Sequence, residues 1–134
     1  YPGIENYMQR YKAMAREQGY VQTLWGRRCH TPGINDNNPV SRQFAERQAI
    51  NAPLQGSNAD IIKKAMRKIY DYLKSKPSKT RLILQVHDEL LFEIPEDELQ
   101  ITIPILKKMM ESVVSLSVPL VVDAGIGNNW DEAH

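Results

Sequence analysis

The chain has 134 residues, 42% hydrophobic and 25% charged, with one cysteine and a formal net charge of +1. That length corresponds to one domain or part of one, long enough to bury a core without a metal or a disulfide. The composition excludes wholesale disorder, no run reaches the ~18 consecutive apolar residues of a membrane span, and the lone Cys29 excludes an internal disulfide or a multi-thiolate zinc site and points to a reducing compartment. The charge is unevenly spread: residues 1–80 carry 14 Lys and Arg against 6 Asp and Glu, and residues 81–134 carry 3 against 10. A basic half followed by an acidic half suits a polyanion on one side and cations on the other, and suits equally two solvated faces of opposite sign.

The first residue is Tyr, and no basic stretch precedes an apolar one. No signal peptide is visible, and the helical pattern at the start predicts a piece of a longer protein. Pro2 suits a first helical turn and Gly19 a helix end, with Ile4, Tyr7, Met8, Tyr11, Met14 and Ala15 at three- and four-residue spacing between them. This predicts a helix over about 3–17. Tyr20 to Leu24 and Arg27 to Thr31 read as strands of a hairpin turning at Trp25-Gly26, and Pro32 to Pro39 reads as a loop. Ser41 is positioned to cap a helix over 42–50, and Pro53 predicts a break. Ser57 or Asn58 would cap the next helix, whose apolar face is Ile61, Ile62, Ala65, Met66, Ile69 and Leu73 and which Pro77 closes. Leu82 to Val86 and Leu90 to Ile94 read as a hairpin with His87-Asp88-Glu89 at its tip. A helix opens at Glu96 and runs to about 115, with Pro104 predicting a kink or a later start, and Val118 to Ile126 reads as a third strand. The fold class is α+β: a small antiparallel sheet backed by helices.

Three clusters can carry chemistry. In QVHDELLFE, Gln85 to Glu93, apolar strands flank two adjacent acids at a turn. Hard cations such as Mg²⁺ take a few carboxylate oxygens plus substrate phosphates, which makes Asp88 a candidate ligand. An ordinary polar turn fits the same pattern, and no second Asp lies on an equally good strand end. In the stretch from Glu46 to Met66, Arg47, Asn51 and Gln55 recur every four residues, and these are the side-chain types that bond base edges and sugar-phosphate. A polar helix face fits them too. In the stretch from Gly19 to Ile34, Arg27 and Arg28 at a tight turn could grip phosphate or simply be solvated.

Taken together these segments resemble the family A DNA polymerases. GYVQTLWGRR is similar to that family's GYVxTxxGRR, AERQAINAPLQGSNADIIKKAM to AERxAINxPxQGTAADIIKxAM, QVHDELLFE to motif C of the palm, QVHDELxFE, and VPLVVDAGIGNNWDEAH to VPLxVxxGxGxNWxxAH. Four segments in the family's order cover nearly the whole chain. The resemblance implies that residues 1–18 form a helix following the fingers and residues 19–134 a palm portion, so that the chain is the C-terminal part of a polymerase domain. It implies that Asp88 binds the catalytic metal ions, that the adjacent Glu89 helps shape that site, and that His87 lies near the primer-terminal phosphate. Arg47, Asn51 and Gln55 would hold primer-template DNA largely through the minor groove. The implied cofactor is Mg²⁺ in a two-ion site completed by a motif A aspartate; nothing here matches motif A or the nucleotide-gripping motif B. Partners would be primer-template DNA and a deoxynucleoside triphosphate, with no membrane, in the cytoplasm and nucleoid if bacterial or in an organelle otherwise. The isolated chain is expected to be inactive and to self-associate through surfaces that truncation exposes. Cys29 to Gly33 departs from the family pattern, which weakens the expected phosphate grip at Arg27 and Arg28, and Asn58 stands where the family usually has Ala, as an alternative cap would. The rival reading is a non-catalytic nucleic-acid-binding module, in which Asp88 would be dispensable.

Overall fold

The computed structural model describes residues 1–134, which divide into two compact units, Tyr1–Asp60 and Ile61–His134.

In the first unit, α1 (Pro2–Gln18) begins with proline in its first turn and ends where Gly19 takes a left-handed conformation (φ 82°) and returns its N–H to the Ala15 carbonyl. Strands β1 (Tyr20–Gln22) and β2 (Arg28–His30) pair antiparallel with Val21 opposite Cys29. The core is made of Ala15, Val21, Ile34, Ala45 and Ala49, with Tyr11, Cys29 and Ala52 packed on it. Three alanines among five core residues let the backbones of helix and hairpin approach closely. The Tyr7 hydroxyl donates to the Ile50 carbonyl at 2.9 Å, and burial raises its pKa. Arg16 donates to Glu46 at 2.7 Å, and this bond holds the Glu46 carboxyl below the usual glutamate range. Its stabilisation is present above the ordinary glutamate pKa and is lost as pH falls through the lowered one.

Helix α2 (Pro39–Lys74) is 36 residues long and continuous. This overturns the expected break at Pro53 and the expected caps further along. Asn38, not Ser41, caps it, its side-chain oxygen accepting the Val40 N–H at 3.0 Å. Proline in a helix costs about 3 kcal/mol through a lost hydrogen bond and a ring clash. Here Pro53 is itself buried, Ala45 and Ala49 are fully buried before it, and Ile62, Ala65 and Ile69 are buried after it. Packing on both sides outweighs the local penalty.

In the second unit, β3 (Arg81–Val86) and β4 (Glu89–Glu93) form a hairpin with a bulge between Leu82 and Leu84. A 3₁₀ turn (Glu96–Glu98) leads into α3 (Leu99–Glu111), which runs through Pro104 without a later start, and α4 (Trp130–Ala133) follows. Glu98 accepts hydrogen bonds from the hydroxyls of Ser78 and Thr80, tying the start of α3 to the segment before β3. The expected third strand over 118–126 is not formed: residues 113–129 hold no regular element and pair with neither hairpin. The sheet expected from the sequence is therefore two separate two-stranded hairpins. No helix is long and apolar enough to cross a membrane.

Candidate active-site hairpin and nucleic-acid face

The motif C segment forms the tip of β3–β4. Val86 pairs with Glu89, so the turn is two residues, His87 and Asp88, and Glu89 belongs to the strand. His87 has φ 52°, the only non-glycine residue with positive φ, and the Gln85 side-chain amide donates to its carbonyl at 2.7 Å. A positive φ at the first central residue alone is the sign pattern of a II′ turn, which matches the twist of a hairpin but favours glycine there. Relief of the left-handed strain, about 1–2 kcal/mol, exceeds the extra chain entropy of glycine, about 0.5–1 kcal/mol. His87→Gly is thus expected to stabilise the chain by about 0.5–1 kcal/mol in urea denaturation; a destabilised variant would show that the imidazole contributes more than the strain costs.

His87, Asp88 and Glu89 are all exposed. The two neighbouring acids differ in their surroundings. The Glu89 carboxylate meets His134 Nδ1 at 3.1 Å, whereas Asp88 stands at the turn with no ion pair. Nowhere in the chain do three or more His, Cys, Asp or Glu side chains gather into a metal cage. The Asp88 carboxylate is the kind of hard-oxygen donor that a divalent cation takes.

The second set of expected site residues lies on α2. Because the helix is unbroken, Arg47, Asn51 and Gln55 stand one turn apart on one face, and all three are exposed. Exposed Phe44 and Leu54 lie beside them. This is a side-chain stripe with no internal partners in its first unit beyond the helix itself, of the kind that can bond base edges and sugars while apolar neighbours exclude water.

The two arginines of the β1–β2 turn separate. Arg27 Nε donates to Asp60 at 2.8 Å and its Nη2 to the Gly56 carbonyl at 3.0 Å, while the Leu24 N–H donates to Ser57 Oγ at 3.0 Å. One turn of α2 thus anchors the hairpin, and Gly56 is needed there, since a Cβ on it would lie 2.7 Å from Thr23 Cγ2. Ser57, expected to cap a helix, acts instead with Asp60 as a mid-helix anchor. Arg27 is engaged in the fold through Asp60 and the Gly56 carbonyl. Arg28 stacks its guanidinium 4.6 Å from the Tyr20 ring centre, and both arginines keep solvent exposure.

Sequence reasoning on the residues alone did not single out His134. The cue was in NNWDEAH: Asn129 accepts the Glu132 N–H at 3.0 Å as an N-cap and Glu132 accepts the Asn128 N–H at 2.8 Å, so a capped turn carries the histidine.

Comparison with known proteins agrees with this arrangement. A family profile described as DNA polymerase family A matches residues 1–132. DNA polymerase I of Pseudomonas aeruginosa is 49% identical over 134 residues, covering 100% of this chain and 15% of that protein. DNA polymerase I of Rhizobium leguminosarum is 47% identical over 140 residues, covering 100% of this chain and 14% of that protein. The chain thus spans about one seventh of the length of these curated relatives. Among solved structures, the POL domain of Pol1 from M. smegmatis, in complex with DNA primer-template and dNTP, superposes with a TM-score of 0.94 at 41% identity, covering 99% of this chain and 24% of that one. With the profile spanning all but the last two residues, the chain belongs to DNA polymerase family A.

Proposed function

We propose that the chain is the palm portion of a DNA-directed DNA polymerase, with residues 1–18 following the fingers, and that the full-length protein adds deoxynucleotides to a primer 3′ end by template-directed nucleotidyl transfer. The observation that carries this reading is the exposed Asp88 carboxylate on a two-residue turn between paired strands, in a chain of this family. The turn presents the carboxylate while the ladder behind it fixes its position, which is what a metal ligand needs. When bound, two divalent ions at such a site lower the pKa of the primer hydroxyl and neutralise charge on the departing pyrophosphate. Asp88 would hold the ions with a carboxylate supplied from outside this chain, Glu89 would shape the site, and His87 would lie by the primer-terminal phosphate. Arg47, Asn51 and Gln55 would hold primer-template DNA, a reading supported by the primer-template and dNTP in the M. smegmatis complex. Exposed Val118, Val121 and Ile126 support self-association of the isolated chain.

The 134-residue chain alone is expected to extend no primer in a gel assay with Mg²⁺ and all four deoxynucleotides, while the full-length protein extends it. Incorporation by the chain alone would mean that the metal site is complete within these residues. A full-length protein that binds DNA in a salt-dependent way but never extends it would favour the non-catalytic binding module.

A further inference from the structure

Glu89 and His134 lie 45 residues apart in sequence, and three features bring them together. The imidazole Nδ1 lies 3.1 Å from the Glu89 carboxylate, which places the two side chains in direct contact. The Trp130 ring packs edge-on against His134, with centroids 6.3 Å apart and an interplanar angle of 77°. The turn that carries both rings folds back on Gly125 and Gly127. A Cβ on Gly125 would fall on the Ala133 carbonyl oxygen, and one on Gly127 would lie 2.6 Å from the Ala133 amide nitrogen. The backbones touch only because both positions lack side chains. Asn129 caps this turn and Glu132 braces it, so the histidine is delivered by a built element, not a loose tail.

The consequence falls on two adjacent carboxylates. Without a partner, Glu89 could swing toward whatever cation Asp88 holds and compete for it or distort its ligand geometry. We propose that His134 is a positioning residue: it holds the Glu89 carboxylate in one orientation and leaves Asp88 as the one uncommitted carboxylate at the turn. The proposal rests on the polymerase reading above and deepens it by assigning a role to a residue outside the motif C segment.

The test uses the full-length polymerase, wild type beside His134→Ala, His134→Asn, Glu89→Ala and the His134→Ala/Glu89→Ala double variant. The Asn side chain places an N–H where the imidazole has its Nδ1–H. Two readouts are taken: hydrogen exchange of the amides in the β3–β4 turn without DNA or metal, and single-turnover incorporation with separate measurement of the primer-template and nucleotide dissociation constants. For a partly exposed pair the expected change is about threefold. His134→Ala should speed exchange at the turn and slow incorporation by that factor, with both dissociation constants unchanged. His134→Asn should restore both, and the double variant should be no worse than Glu89→Ala. Additive losses, an unchanged turn, or a weakened primer-template affinity with normal incorporation would overturn the proposal, the last by showing that His134 touches DNA itself. A wild type that extends nothing overturns the polymerase reading and this proposal together; a wild type that extends normally beside an unaffected His134→Ala overturns the proposal alone.

Discussion

Asp88→Asn in the full-length polymerase is expected to slow primer extension by about three orders of magnitude, corresponding to about 4 kcal/mol of transition-state stabilisation. The substitution changes charge and little else. Asn has the size of Asp and suits turns equally well. The Asp88 side chain is exposed and makes no ion pair, so no packing or salt bridge is lost. What disappears is the negative charge that a divalent ion needs from a hard-oxygen ligand. The thermal midpoint should stay where it was, which separates a chemical loss from misfolding. Rapid-quench incorporation beside a circular-dichroism melt makes the measurement. Extension within a few-fold of wild type would remove Asp88 from the metal site; a matching loss of thermal stability would assign it a structural role.

Arg47→Ala is expected to weaken primer-template affinity about 30-fold, the middle of the ~1–3 kcal/mol that one well-placed arginine contact to nucleic acid is worth. The side chain is exposed on an unbroken helix and its removal empties no core. Alanine is also the better helix former, so the fold should not suffer. If the contact is to a phosphate, the slope of log affinity against log salt falls by about one counterion and the loss is the same for every sequence. If it is a two-pronged contact to a base edge or sugar, the slope barely moves and Arg47→Lys does not restore binding, because an ammonium lacks the planar fork. Fluorescence anisotropy across a salt series distinguishes the two. An affinity within twofold of wild type would mean that this face of α2 does not meet DNA.

The elements whose signals are local were legible. Helix α1 was read between Pro2 and Gly19, and it ends with Gly19 in the left-handed conformation that only glycine adopts without strain. Both hairpins were read from short β-prone runs around turns, within a residue or two of their observed limits. Asp88 was legible for the same reason: a polar pair between two apolar runs leaves it little place except a turn. Errors arose where a long-range partner decides. Local chemistry argues for a break at Pro53, yet burial on either side carries the helix through it. Ser57 and Asn58 read as a helix cap, whereas in the structure they lie mid-helix and the β1–β2 turn docks on Gly56, Ser57 and Asp60. The run from 118 to 126 is rich in β-prone residues yet pairs with neither hairpin.

The sequence by itself determined the family, the α+β character and the candidates for meeting a cation or DNA, because motif spacing and hydrophobic period are properties of neighbours along the chain. The tertiary structure decided which of those residues remain available. It engaged Arg27 with Asp60, left Arg28 on a tyrosine ring, joined two expected helices into one so that Arg47, Asn51 and Gln55 share a face, and placed His134 against Glu89. The Arg27 and His134 contacts depend on partners tens of residues away, that of Arg28 on the facing strand of its own hairpin, and the shared face on the burial of a whole helix. The free energy of such contacts enters only when the chain has folded, and it is comparable to or larger than the local preferences it overrides.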